Sequence, residues 1–174
     1  MLTLSQPEML ARWRTHRGYI STVEGYSLGL SPELDTLHLA QIEAWYSRLL
    51  AEGPESLFDP VDYASNTILS SAAGDQGVTF SLPKGAVRLL RVRLRGWLCD
   101  ARIISDPECQ EARWQADSFT RASADAPVAV IHPGGFVSLY PAMPENIPET
   151  ILCAARHPDG LYHFEPQALE WSQS

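Results

Sequence analysis

The stretch VTFSLPKGAVRLLRVRLRGW, residues 78–97, decides the fold class. Val78, Phe80 and Leu82 alternate with Thr79 and Ser81 until Pro83, which lacks the N–H a ladder needs, ends the run. Leu90, Val92 and Leu94 then alternate with Arg91, Arg93 and Arg95. A period of two sends the three aliphatics to one face of a strand and the three guanidinium groups to the other. The C-terminal half is therefore expected to be a β-structure.

Downstream, residues 97–104 read as a partner strand after Gly96. Ser105 and Glu108 have capping-box spacing, which predicts a short helix over 107–115 on a connection between strands. Segments 128–132 and 136–140 flank Pro133-Gly134-Gly135, segments 151–156 and 161–165 flank Asp159-Gly160, and both pairs read as hairpins. Upstream the period lengthens to that of a helix. Ser5 and Glu8 have capping-box spacing, Met9, Leu10 and Trp13 supply an apolar face, and Gly18 closes this first helix. A second helix is predicted over 31–53, with Ser31 as cap, Pro32 in the first turn and Glu33 and Asp35 at the positive end of the dipole. Leu34, Leu37, Ile42, Trp45, Leu49 and Leu50 recur along it at helical spacing, and Gly53-Pro54 stops it. Asp59-Pro60 reads as the entry to a shorter helix running through Tyr63, Ala64 and Ile68. Helices first and antiparallel strands after them predict an α+β protein. A helical part at 1–75 and a β-rich part from about Gln76, at 76–174, are expected to share one core.

Composition narrows the function classes. At 174 residues, with 45% hydrophobic and 20% charged side chains, the chain has the make-up of a folded domain. The net charge of -8 is unevenly spread: residues 84–102 carry 6 basic and 1 acidic side chains, whereas 1–83 carry 4 and 10, and 103–174 carry 3 and 10. An acidic surface around a basic centre disfavours nucleic acid and anionic membranes as partners. The first ten residues lack the basic and apolar regions of a signal peptide, and no apolar run is long enough to span a bilayer. Three cysteines, Cys99, Cys109 and Cys153, without CxxC spacing read as free thiols. A cytoplasmic protein is the expectation.

No local motif supplies chemistry. His16, His38, His132, His157 and His163 show no HxxxH spacing. A two-residue loop at Asp159-Gly160 would pair His157 with Tyr162 and His163 with Arg156, sending the two imidazoles to opposite faces; no metal ligand set and no cofactor is assigned. Neither GxSxG nor a phosphate-binding glycine loop is present, and Lys84 is the sole lysine. Arg91, Arg93 and Arg95 remain as a one-sided array suited to carboxylate partners, with Trp97 and Trp171 as candidate aromatic anchors. A site assembled from distant residues, in a small hydrolase or ligand-binding domain, would have to draw on Cys99, Asp100, His132, Cys153, His157 and His163. Single-stranded nucleic-acid binding would need aromatics beside the arginines, whose alternating neighbours are instead aliphatic and face away.

The order of these features resembles bacteriophage and prophage neck proteins, the connectors that join head to tail. FSLPKGAVRLLRVRLRGW, residues 80–97, and DAPVAVIHPGGFVSLYP, residues 125–141, carry the resemblance, with Leu82-Pro83 leading into an apolar strand and a hairpin ending at Tyr140-Pro141. The resemblance implies a non-enzymatic assembly protein, virion-associated, that forms or joins a ring and contacts acidic neighbours through its basic strand. A protein partner or self-association follows from it; catalytic and cofactor residues do not.

Overall fold

The computed structural model describes residues 1–17, 32–71, 77–117 and 119–171; the expectations placed on Gly18, Ser31 and Gln76 lie outside the described residues. In chain order the elements are β1 (Leu2–Leu4), α1 (Gln6–His16), α2 (Pro32–Glu52), β2 (Val61–Asp62), β3 (Ser70–Ser71), β4 (Val78–Ser81) and β5 (Ala86–Leu94). Then follow β6 (Arg102–Ile104), α3 (Gln110–Trp114), β7 (Val128–His132), β8 (Phe136–Tyr140), β9 (Pro148–Ala155), β10 (Tyr162–Phe164) and α4 (Ala168–Trp171). Helices come first and mainly antiparallel sheets follow, so the protein is α+β. Two compact units divide the chain: Met1–Asp59 with Ala154–Ser174, and Pro60–Cys153.

In the first unit, the Glu8 carboxylate accepts both the backbone N–H of Ser5 at 2.8 Å and its hydroxyl at 2.6 Å, the local contact that starts α1. Helix α2 buries His38, Ile42, Trp45, Tyr46, Leu49 and Leu50, while Leu34 and Leu37 stay exposed. Its inward face is therefore rotated from the expected one, with His38 and Tyr46 in place of the two leucines. Trp45 is the centre of the packing: its ring lies 5.6 Å from Trp13 of α1 and 5.2 Å, edge-on, from Phe164 of β10. Its indole N–H donates to the Ala168 carbonyl at 3.3 Å. Strands β1 and β10 pair antiparallel, with Thr3 opposite His163.

The second unit holds a three-stranded sheet, β2-β9-β5, and a five-stranded one, β3-β4-β8-β7-β6. Strand β5 buries Val92 and Leu94 completely and leaves Arg91 exposed, as its alternation predicts, but Leu90 is only half-buried while its neighbour Leu89 is buried, and Arg93 is half-buried too; Arg95, just past the strand, is exposed. Burying each such aliphatic stabilises by about 1.5–3 kcal/mol. The β7–β8 hairpin forms as expected, with His132 opposite Phe136. Gly134 and Gly135 both adopt positive φ, +87° and +81°, which a residue with a Cβ resists.

Several local expectations are overturned. After Asp59-Pro60 the chain makes β2 and a 3-10 turn at Ala64–Asn66 instead of an α-helix, since Val61 and Asp62 are taken up in a ladder with Cys153 and Leu152. Of residues 97–104 only Arg102–Ile104 is strand, and it pairs in parallel with β7. Trp97 turns away from the ladder because its N–H bonds back to Leu94 and its indole donates to the Pro141 carbonyl at 3.1 Å. Helix α3 is capped by Cys109, whose sulfur accepts from the Ala112 N–H, and not by Ser105. The hairpin at 151–165 does not form: β9 joins β2 and β5, whereas β10 joins β1. No helix among the described residues is long and apolar enough to cross a membrane.

Candidate functional site

The arginine face of β5 belongs to the second unit and is answered by the unit's own acids. Arg91 lies 3.4 Å from Asp100, Arg93 lies 3.5 Å from Glu149, and Arg95 lies 3.4 Å from Glu145 and 4.0 Å from Glu149. Arg91 and Arg95 are open to water, whereas Arg93 is half-buried and also donates to the Trp97 carbonyl at 3.2 Å; the exposed pairs contribute about 0–1 kcal/mol each. Trp97, next in the chain, is only 2% exposed and belongs to the core. Trp171, in the first unit, is half-buried with the Arg48 guanidinium 5.5 Å above its ring. Of the second unit's four residues, Arg91 and Arg95 are exposed, Arg93 is half-buried and Trp97 is buried; Trp171 belongs to the first unit.

The second unit also holds a cleft of mixed lining. It has a volume of about 520 Å³; Ile68, Phe80, Pro83 and Phe136 line it together with polar side chains such as Asn66 and Ser81. Ile68 is 86% exposed and Phe136 is 55% exposed, two large apolar side chains open to water on one cleft. Phe80, Pro83 and Lys84 come from the stretch that sets the fold class, and Phe136 from the hairpin beside it.

The other chemistry lies in the first unit, where His157 and His163 meet. Because β10 pairs with β1, the loop after β9 is free to curl: Gly160 N–H bonds to the His157 carbonyl at 3.1 Å, and the Asp159 carboxylate accepts the Leu161 N–H at 2.9 Å. The two imidazoles stack with centroids 3.8 Å apart and planes inclined by 22°. This corrects the expectation that they point to opposite faces. Each ring meets a carboxylate at Nε2: His163 is 2.8 Å from Asp159, and His157 is 3.5 Å from Asp59 and 3.2 Å from the Asp59 carbonyl oxygen. The imidazoles are largely screened, at 17% and 11% exposure, while the carboxylates reach solvent.

A rigid surround positions His163. Tyr46, on the buried face of α2, receives the His163 N–H at 3.2 Å on its hydroxyl, which in turn donates to the His163 carbonyl at 3.4 Å. The Nδ1 atom of His163 faces the Thr3 hydroxyl at 3.4 Å. Beside it, Glu43 accepts from the Tyr162 hydroxyl and from Arg156, lining a hollow of about 230 Å³ together with His157. Burial opposes ionisation of Glu43, but hydrogen bonds from Tyr162 and Arg156 and the charge of Arg156 outweigh it and hold the carboxyl below its usual range. Burial, reinforced by the bond to Glu43 and its charge, pushes the Tyr162 phenol up to about 12. Asp159 lies below the usual carboxylate range, chiefly because of the Leu161 N–H and with burial opposing; His163 and His157 add to the lowering.

The remaining raw material for a hydrolase is scattered. Cys153 is fully buried, and burial together with the Asp62 charge pushes its thiol up to about 12, far from the thiolate that a nucleophile requires. Cys99 is exposed in the second unit, its thiol toward the Asp125 carbonyl. His132 bonds Ser138 at 2.9 Å, but Ser138 is buried in a central strand and out of reach of a substrate. No known family model matches the chain, and no curated protein is significantly similar to it.

Proposed function

We propose that this is a non-enzymatic structural protein whose second unit docks neighbouring copies of the same chain, as in a phage head-to-tail assembly. The observation that carries this reading is the pair of exposed apolar side chains, Ile68 and Phe136, that line the cleft beside Pro83 of the Leu82-Pro83 segment on which the resemblance to neck proteins rests. Self-docking is favoured by charge. A chain with 6 basic and 1 acidic residues in 84–102 between acidic flanks is complementary to itself, as a head-to-tail contact that closes into a ring requires. The exposed pairs of Arg91 and Arg95 contribute little to the lone chain, so exchanging their carboxylates for those of a neighbour costs little. Against catalysis stand the buried thiol of Cys153 and the buried hydroxyl of Ser138.

Sedimentation velocity on Ile68→Asp and on the triple variant Arg91→Glu/Arg93→Glu/Arg95→Glu tests this. The expected result is a folded chain that sediments as smaller species than the wild type in both cases. Wild-type association retained by both variants would remove the proposed roles of cleft and arginine face.

A further inference from the structure

We propose that Asp59, His157 and His163, with Asp159 as fourth ligand, bind a zinc-class divalent ion that staples the two chain segments of the first unit. One ligand atom from each of Asp59, His157 and His163 lies within 4.8 Å of the others, and Asp159 stands 2.8 Å from Nε2 of His163. Two imidazoles and two carboxylates form a tetrahedral set suited to zinc, whereas calcium and magnesium favour all-oxygen shells. Ligand atoms about 2.1 Å from a tetrahedral ion are about 3.4 Å apart, so the cluster must contract by roughly an ångström. The exposed carboxylates can provide that movement by side-chain rotation.

The surround favours the required tautomer. Metal takes the Nε2 lone pair, which moves the ring proton of His163 to Nδ1, and the Thr3 hydroxyl stands there to accept it. Stacked rings 3.8 Å apart aim their lone pairs side by side, so a shared ion lies outside both planes until one ring turns about its Cβ–Cγ bond. His163 is fixed by its ladder to Thr3 and by Tyr46, so the ring that turns is that of His157, on the loop. The site would be structural. Asp59 ends the first segment of the unit, and the other ligands follow soon after Ala154, where the chain returns to it. A cross-link between positions so distant in sequence closes a long loop and stabilises the folded form.

The test uses the full chain, stripped with a chelator and titrated with zinc chloride by calorimetry in excess magnesium, with cobalt(II) as a spectroscopic substitute. One zinc per chain is expected, with a tetrahedral cobalt spectrum free of thiolate bands and a melting temperature raised by about 5 °C or more at a hundredfold excess over Kd. Asp59→Asn, which keeps shape, and His157→Gln, on the loop, should each weaken binding at least tenfold, while His132→Gln in the other unit should not. A zinc Kd above about 1 mM for the wild type, a six-coordinate cobalt spectrum, or thiolate bands from Cys99 would overturn the proposal. The wild-type spectrum decides even if a variant misfolds.

Discussion

Tyr46→Phe removes one oxygen atom from the first unit and should be felt at His163. The phenol ring is 1% exposed, and it touches Tyr162 edge-on at 5.1 Å, Trp45 at 6.0 Å and the Arg156 guanidinium at 5.6 Å; all these contacts survive in phenylalanine. Only the two hydrogen bonds to the His163 backbone are lost, one at 3.2 Å and one at 3.4 Å. Leaving a donor and an acceptor poorly satisfied costs about 1–3 kcal/mol, and bonds this long place the loss near 1–2 kcal/mol. For a chain of this length that lowers Tm by roughly 2–8 °C. Tyr46→Ala, which also empties the ring's place, should cost about 3–5 kcal/mol, so the difference between the variants separates hydroxyl from ring. Thermal unfolding followed by circular dichroism reads the stability, and hydrogen exchange reads the His163 amide, which should lose protection in Tyr46→Phe. Unchanged Tm and unchanged protection at His163 would refute the argument that this hydroxyl holds β10 in place.

Three further outcomes follow from the same contacts. Leu94→Ala should destabilise by about 2–5 kcal/mol and Arg95→Ala by under about 1 kcal/mol, since Leu94, the last residue of β5, is fully buried and Arg95, just past it, is exposed; equal losses in denaturant titration would contradict that burial. Stability against pH should have two limbs from the Glu43–Tyr162 pair. Glu43, with its folded pKa lowered, stabilises above the ordinary carboxylate range, and this is lost as pH falls through the lowered value. Tyr162, raised from 10.0 to about 12, stabilises fully below 10 and loses that contribution as pH rises toward 12. Tm profiles of Glu43→Gln and Tyr162→Phe should accordingly flatten at the acid and alkaline ends, and profiles parallel to the wild type would contradict the assignment. With a thiol reagent near neutral pH, Cys99 should react at once and Cys153 only on denaturation; rapid native labelling of Cys153 would contradict its burial.

What the sequence made legible was local. The Ser5–Glu8 cap, the length of α2 and the β7–β8 turn each rest on residues a few positions apart, and each appears in the structure. The alternation in β5 placed Val92 and Leu94 inside for the same reason, but not Leu90, which is half-buried while Leu89 takes the buried place. Long-range pairing was not legible. Nothing near residues 102–104 announces a parallel partner in β7, and nothing near Tyr162 announces β1, so the expected hairpin at 151–165 gave way to two separate ladders. The meeting of His157 with His163 depended on that change of partner. One signal was present: Asp159 before Gly160 can bond the N–H two residues on, which curls the loop and brings the two histidines together. The cleft at Ile68 was not legible because the stretch after Asp59-Pro60 reads as helix, whereas it makes β2 and a 3-10 turn.

The central claim, self-assembly through the second unit, is tested most directly by the mass of the purified chain in solution, measured by light scattering at low and high salt. A discrete oligomer at low salt that shifts toward the 19.3 kDa chain at high salt is the predicted result, because exposed arginine–carboxylate contacts are screened. A mass of 19.3 kDa at every salt and protein concentration would contradict it.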